Sequence, residues 1–344
     1  MRTYPDPFLR RWSRRSISIG LVMLAFLTML LLSPVWAVAC GIVDLISRGK
    51  VATLRGMAFV FCYAYHEMVG LALCLWVWLR YGRDPRGFHD GMFRAQYVWA
   101  KRLAEASIRV LGLRIHVESD YTFGDRRVIL AARHTSIADT LVPMLYVCIA
   151  HRLNLLYVMK RELEWDPCID IAVSRLPHLF VVRGSGDAAR EIEAIGKLIE
   201  QQEDGVIIFP EGTRYSPAKR DRVLRKLEKS GEKDLVNWAG KHTNVIPLRT
   251  GGMQALLERN RDADVVFCAH RGFENASSFR EAFNGSLIDA DIYVKFWGVR
   301  FEDIPATREE RRVWLLEQWG RVDDFAAGRI QPERKSAPAE VSTD

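Results

Sequence analysis

From Ser16 to Val43 the chain carries no charged side chain. Crossing a hydrocarbon core of about 30 Å takes roughly 20 helical residues. The run is therefore long enough to span a membrane and too long for the core of a cleaved signal sequence. A second apolar run, Gly56 to Leu79, is broken only by His66 and Glu67. Arg2, Arg10, Arg11, Arg14 and Arg15 precede the first run. Arg80, Arg83, Arg86 and Arg94 open a basic stretch after the second, whereas the connector holds only Arg48, Lys50 and Arg55. More basic outer flanks predict a helical hairpin with both ends on the cytoplasmic side. Glu67 complicates that picture, because a mid-bilayer carboxylate must be protonated, paired or wet. Two arrangements fit: two full spans, or a re-entrant or interfacial hairpin in one leaflet. His66 and Glu67 read as a polar contact between the two helices, with a proton relay as the alternative.

After residue 80 the pattern changes. Asp90 to Leu111 has helical periodicity with interleaved cations, suited to an anionic membrane surface or to a core-facing helix. From Arg114 short apolar runs appear: Ile115 to Val117, Val128 to Ala132, Leu155 to Met159, Leu179 to Val182, Val206 to Phe209, Val245 to Leu248, Val265 to Ala269 and Ile292 to Phe296. Helical patterns alternate with several of them, the clearest from Asp187, a predicted N-cap, to Glu203. This is the α/β pattern, a mostly parallel sheet flanked by helices. The expected organisation is a membrane-associated hairpin over 1–80, an α/β domain over 81–330 and a polar, disordered tail over 331–344. Apolar residues make up 49% of the chain, which excludes a wholly disordered protein. Six cysteines without close pairing exclude a disulfide scaffold or zinc ribbon, and no metal or other cofactor is expected.

Two segments carry chemistry. In VILAARHTSIADT a buried strand ends at Ala132, His134 follows, and Asp139 lies five residues beyond His134. A histidine with a carboxylate in reach is the minimum apparatus for taking a hydroxyl proton near neutral pH. A surface histidine and a helix-capping aspartate would give the same spacing. In VIIFPEGTR a strand runs into Glu211, Gly212, Thr213 and Arg214. Gly212 lets backbone amides approach a ligand, and Arg214 offers a planar fork for phosphate.

Together, RHTSIAD and FPEGTR resemble the glycerolipid acyltransferase family, which includes the 1-acylglycerol-3-phosphate acyltransferases. YVMKREL with LFVVRG is similar to the family's second block, and VIPLRTGG to its fourth, with Pro247 at the strand-end position. The resemblance extends over roughly residues 60 to 330. It implies that His134, oriented by Asp139, is the catalytic base and that acyl transfer is direct, without an acyl-enzyme. It further implies that Arg183 and Arg214 bind the acceptor's phosphate in a pocket shaped by Glu211, Gly212 and Thr213. The expected partners are a membrane phospholipid acceptor and an acyl-CoA or acyl carrier protein thioester, with no nucleic acid. Lysophosphatidic acid is the family's commonest acceptor; another lysophospholipid, glycerol 3-phosphate or an amino-lipid stays open. Arg133 departs from the family, where Asn or Ser commonly precedes the histidine. Two rival readings exist. Gly184 to Ala189 fits a G-x-G-x-x-A dinucleotide turn, but no acidic residue closes the next strand. A lipid-binding protein without catalysis would not need His134, Asp139, Glu211 and Arg214 intact.

Overall fold

The computed structural model describes residues 6–47, 51–136, 138–182, 187–201, 204–274 and 285–330. Its elements in chain order are α1 (Phe8–Leu31), α2 (Ser33–Ser47), α3 (Ala52–Tyr81), α4 (Pro85–Leu111), β1 (Arg114–Ser119), β2 (Val128–Ala132) and α5 (Ala138–Ile149). There follow β3 (Leu156–Lys160), α6 (Pro167–Ile171), β4 (Leu179–Val181), α7 (Ala188–Leu198), β5 (Gly205–Ile208), α8 (Pro217–Lys229) and α9 (Lys233–Lys241). The last are α10 (Thr250–Arg259), β6 (Asp264–Arg271), β7 (Asp291–Val299) and α11 (Arg308–Ala326). The tail 331–344 lies outside the described residues. Two compact units emerge among the described residues: those within 6–113, 157–191 and 285–289 form one, and those within 114–156, 192–274 and 290–330 the other.

In the first unit, α3 packs against α1, α2 and α4. The apolar run from Ser16 is not one helix. It breaks at Leu32, two residues before Pro34, whose ring lacks an N–H and clashes with a helical carbonyl one turn back. The Trp36 indole N–H donates to the Met29 carbonyl at 2.8 Å, so the break leaves that group satisfied in apolar surroundings. Asp44 then accepts the backbone N–H groups of Thr53 and Leu54, both at 2.9 Å, and so caps the start of α3. Outward faces of α1 and α2 remain apolar, with Leu24, Leu31, Val35 and Val38 all more than 60% exposed. So much contiguous exposed apolar surface marks membrane association. Both α1 and α3 are long and apolar enough to cross a membrane.

The contact expected between the two helices through Glu67 is not what forms. Glu67 is wholly buried and accepts the Cys168 backbone N–H at 3.1 Å, at the start of α6. His66 turns back to the Cys62 carbonyl of its own helix, 2.7 Å away. Helix α6 supplies a free first-turn N–H that a carboxylate can satisfy, whereas the facing apolar helix has none to offer. Arg14 and Arg15 are likewise not free flanking charges. They close on Asp170 at 3.0 and 3.1 Å, and Arg14 also on Glu164 at 3.2 Å. Asp166 caps α6 by accepting the Ile169 N–H at 2.9 Å. The strands β3 and β4 pair in parallel, with Val158 opposite Leu179. Helix α4 begins at Pro85, capped by Asp84, and buries Met92, Phe93, Trp99 and Leu103.

In the second unit the strand order is β1-β7-β6-β2-β5. β1 with β7, β6 with β2 and β2 with β5 pair in parallel, whereas β6 and β7 are antiparallel. This is the α/β architecture that the alternating pattern predicts. Strand β2 is buried at each residue, as expected for a central strand covered on both faces. Helix α11 packs on β6 and α10, and its Trp319 is fully buried. Val245 to Leu248, read as a strand, is buried but joins no ladder. Pro247 has no N–H to offer a neighbour strand, and the Ile246 carbonyl accepts the Trp319 indole N–H at 3.2 Å instead.

Gly205 opens β5 with φ 124°, and a Cβ there would lie 1.9 Å from the Val128 carbonyl oxygen of β2. Gly205→Ala should therefore cost about 3 kcal/mol or more, through the backbone strain and the clash together. It should lower the melting temperature by many degrees, measured by thermal unfolding in detergent.

Candidate active site

The site is built where β2 and β5 end. Their parallel register sets Ala131 opposite Ile208. Three residues further along each chain stand His134 and Glu211, so two motifs far apart in sequence arrive side by side. Carboxyl ends of neighbouring parallel strands are where α/β proteins place their ligands. The His134 backbone N–H donates to Glu211 Oε1 at 3.4 Å, and the Tyr215 N–H donates to the His134 carbonyl at 2.6 Å. The FPEGTR turn thus brackets the histidine.

Asp139, at the start of α5, lies 3.0 Å through Oδ1 from His134 Nδ1. Its Oδ2 accepts the backbone N–H groups of Thr135 and Ser136, the latter at 2.7 Å. Burial alone would raise this carboxyl's pKa. His134 overrides that, with help from His270 and the Ser136 amide, and Asp139 is held below the usual carboxylate range. An ionised Asp139 fixes the proton of His134 on Nδ1 and leaves Nε2 as a hydrogen-bond acceptor. The His134 side chain keeps 15% of its surface exposed while Asp139 has none. Phe209 packs against the ring at 4.7 Å between centroids. Among the described residues, then, the dyad has its orienting half sealed and its working half open.

Glu211 is in the opposite state. Burial pushes its carboxyl well above the ordinary range, more strongly than nearby Arg133 and the His134 amide pull it down. Its Oε2 is buried and without a partner among the described residues. Gly212 has φ 69°, in the left-handed region, and its N–H closes the turn on the Phe209 carbonyl at 3.0 Å. Thr213 and Arg214 follow, half-buried. Arg214 Nη1 is buried with no acceptor among the described residues. Arg183 and the Gly184–Gly186 turn lie outside the described residues.

Three contributors were not among the residues expected to form the site. Arg133 is 1% exposed and works as a strut. It donates to the Asn244 carbonyl at 2.7 Å and pairs with Glu274 at 2.5 Å. Its guanidinium is turned into the protein, which explains how a cation can replace the family's small polar residue beside the histidine. His270, on β6, donates from Nε2 to the Arg133 carbonyl at 3.0 Å and approaches Asp139 Oδ2 to 3.6 Å. Burial lowers its pKa, so it supports the dyad as a neutral ring. Arg249 lies on Gly212: a Cβ added to that glycine would sit 3.0 Å from its Cδ and Nε. The only sequence signal for Arg249 was its place in VIPLRTGG.

With this geometry in hand, comparison with known proteins gives the class. Residues 114–269, just under half of the chain, match the Acyltransferase family model, in keeping with an acyltransferase enzyme. The crystal structure of the 1-acyl-sn-glycerophosphate (LPA) acyltransferase PlsC from Thermotoga maritima shares the fold. Its TM-score is 0.54 at 19% identity, over 81% of this chain and 97% of that one. No match to this chain was found among curated protein sequences.

The raised Glu211 pKa has a measurable sign. A carboxyl that binds its proton more tightly when folded stabilises the fold fully below its unfolded pKa, about 4.3. That contribution drains away as pH rises through the higher native value. Glu211→Gln keeps the shape and the neutrality but cannot titrate. Its melting temperature relative to the parent should rise from about pH 5 to pH 8. A difference independent of pH would mean that Glu211 is ionised in the fold.

Proposed function

We propose that the protein transfers a fatty acyl group from an acyl thioester to the free hydroxyl of 1-acylglycerol 3-phosphate, giving phosphatidic acid. The observation that carries this reading is the His134–Asp139 pair beside the EGTR turn, with Asp139 buried and the His134 side chain 15% exposed. His134 Nε2 removes the acceptor's hydroxyl proton as the oxygen attacks the thioester carbonyl. Asp139 stabilises the imidazolium that forms. The tetrahedral intermediate collapses, the C–S bond breaks, and the imidazolium returns its proton to the leaving thiolate. Arg214, with Arg183, holds the phosphate as charge-assisted forks. The donor is an acyl-CoA or an acyl carrier protein thioester, and no metal or bound cofactor takes part. PlsC of Thermotoga maritima, by its description a 1-acyl-sn-glycerophosphate acyltransferase, supports this choice of acceptor.

His134→Ala should reduce acyl transfer about 10²- to 10⁴-fold while thioester and lipid still bind. Asp139→Asn should also be severe, and the double variant little worse than either single one, since the pair acts as a unit. Initial rates with purified protein, both donors and a panel of acceptors test this. Near-normal turnover in His134→Ala would overturn the assignment, and an acylated Ser or Cys seen by intact mass during turnover would overturn direct transfer.

The site works on the cytoplasmic face, with both ends of the apolar hairpin on that side. Every described native cysteine is at least half-buried, so added reporters stand out. Cysteines placed at positions 5 and 330 should react with an impermeant maleimide from the cytoplasmic side only. Labelling from opposite sides would refute this topology.

A further inference from the structure

We infer that Arg249 is a second phosphate-recognising residue, which together with Arg214 selects an acceptor ending in a phosphomonoester. This rests on reading the EGTR turn as the acceptor's phosphate site.

Arg249 is tied to that turn twice. Its backbone N–H donates to the Pro210 carbonyl at 2.8 Å. Its side chain lies across the Cα of Gly212, so closely that a Cβ there would stand 3.3 Å from the guanidinium carbon. Gly212 is thus required twice, for its left-handed φ and for the arginine above it. The guanidinium is not spent on packing. Arg249 is exposed and has no carboxylate partner among the described residues, unlike Arg133, which is paired and buried. Arg214, two residues after Gly212, also has a donor to spare, its buried Nη1. A buried donor without an acceptor is costly and points to a group supplied from outside. Arg249 is also the N-cap of α10, whose first-turn N–H groups receive no side-chain cap, and this adds to the positive potential. A phosphomonoester carries about −1.5 to −2 charges near neutral pH, whereas a phosphodiester carries a single charge. The pair of arginines matches the monoester.

The test uses three acceptors with the same acyl chain: lysophosphatidic acid, lysophosphatidylglycerol and monoacylglycerol. Arg249→Met keeps the aliphatic cover on Gly212 and removes the charge. It should raise the KM for lysophosphatidic acid roughly tenfold to a hundredfold, the usual weight of a charge-assisted hydrogen bond. It should reduce the preference over lysophosphatidylglycerol by a similar factor and leave kcat and the thioester KM nearly unchanged. Arg249→Lys should recover part of the loss. If Arg214→Met abolishes the preference and Arg249→Met does not, the Arg249 inference fails alone. If Arg249→Met instead lowers kcat equally for all three acceptors, Arg249 is only a strut. A parent enzyme without any preference for the phosphomonoester would sink this inference and the function beneath it together.

Discussion

The parallel pairing of β2 with β5 is the constraint on which the site depends. Parallel strands point their carboxyl ends the same way, and the register from Val128–Gly205 to Ala131–Ile208 leaves both chains the same distance from the sheet edge. A slip of one residue would turn every side chain on β5 to the other face. It would also move Glu211 away from the His134 amide. Gly205 makes the register possible, since no other residue fits so close to the Val128 carbonyl. The fully apolar, fully buried sequence of β2 holds the strand in the centre.

On that frame, two buried carboxyls beside one histidine take opposite states, and their surroundings explain why. Asp139 has backbone amides and an imidazole aimed at it, so its negative charge is solvated by the protein. Glu211 has a long hydrogen bond from the His134 amide and some help from the Ile246 amide and Arg133, but burial outweighs them. Environments that push two titratable groups apart are how a single site keeps an anion and a neutral acid at the same pH. Arg133, although a cation at the centre, is neutralised by Glu274.

Much of this could be read from the residues. The strands over Val128–Ala132 and Val206–Ile208 announce themselves as apolar runs, and the motif after each is local in sequence. Asp187 could be read as a cap and does accept the Arg190 N–H at 3.1 Å. What could not be read depends on partners distant along the chain. Val245 to Leu248 looks like a strand because it is apolar, but Pro247 and Trp319 decide otherwise. Glu67 pairs with a helix terminus about a hundred residues away, where hydropathy suggested a polar contact with the facing apolar helix. His270 and Arg249 belong to no pattern of spacing; only the fold brings them to Asp139 and Gly212.

The ion pairs of Arg14 and Arg15 with Asp170 and Glu164 bear on how the protein can be handled. Charges this deeply buried are tolerable only while paired, and removing one partner typically costs about 3–5 kcal/mol. A shortened version lacking α1 would strand two carboxylates inside the first unit and strip the cover from α6. Solubility is therefore not to be had by cutting away the greasy leader. The leader is a folding component of the unit it belongs to, and a preparation must carry it in detergent or lipid from the start.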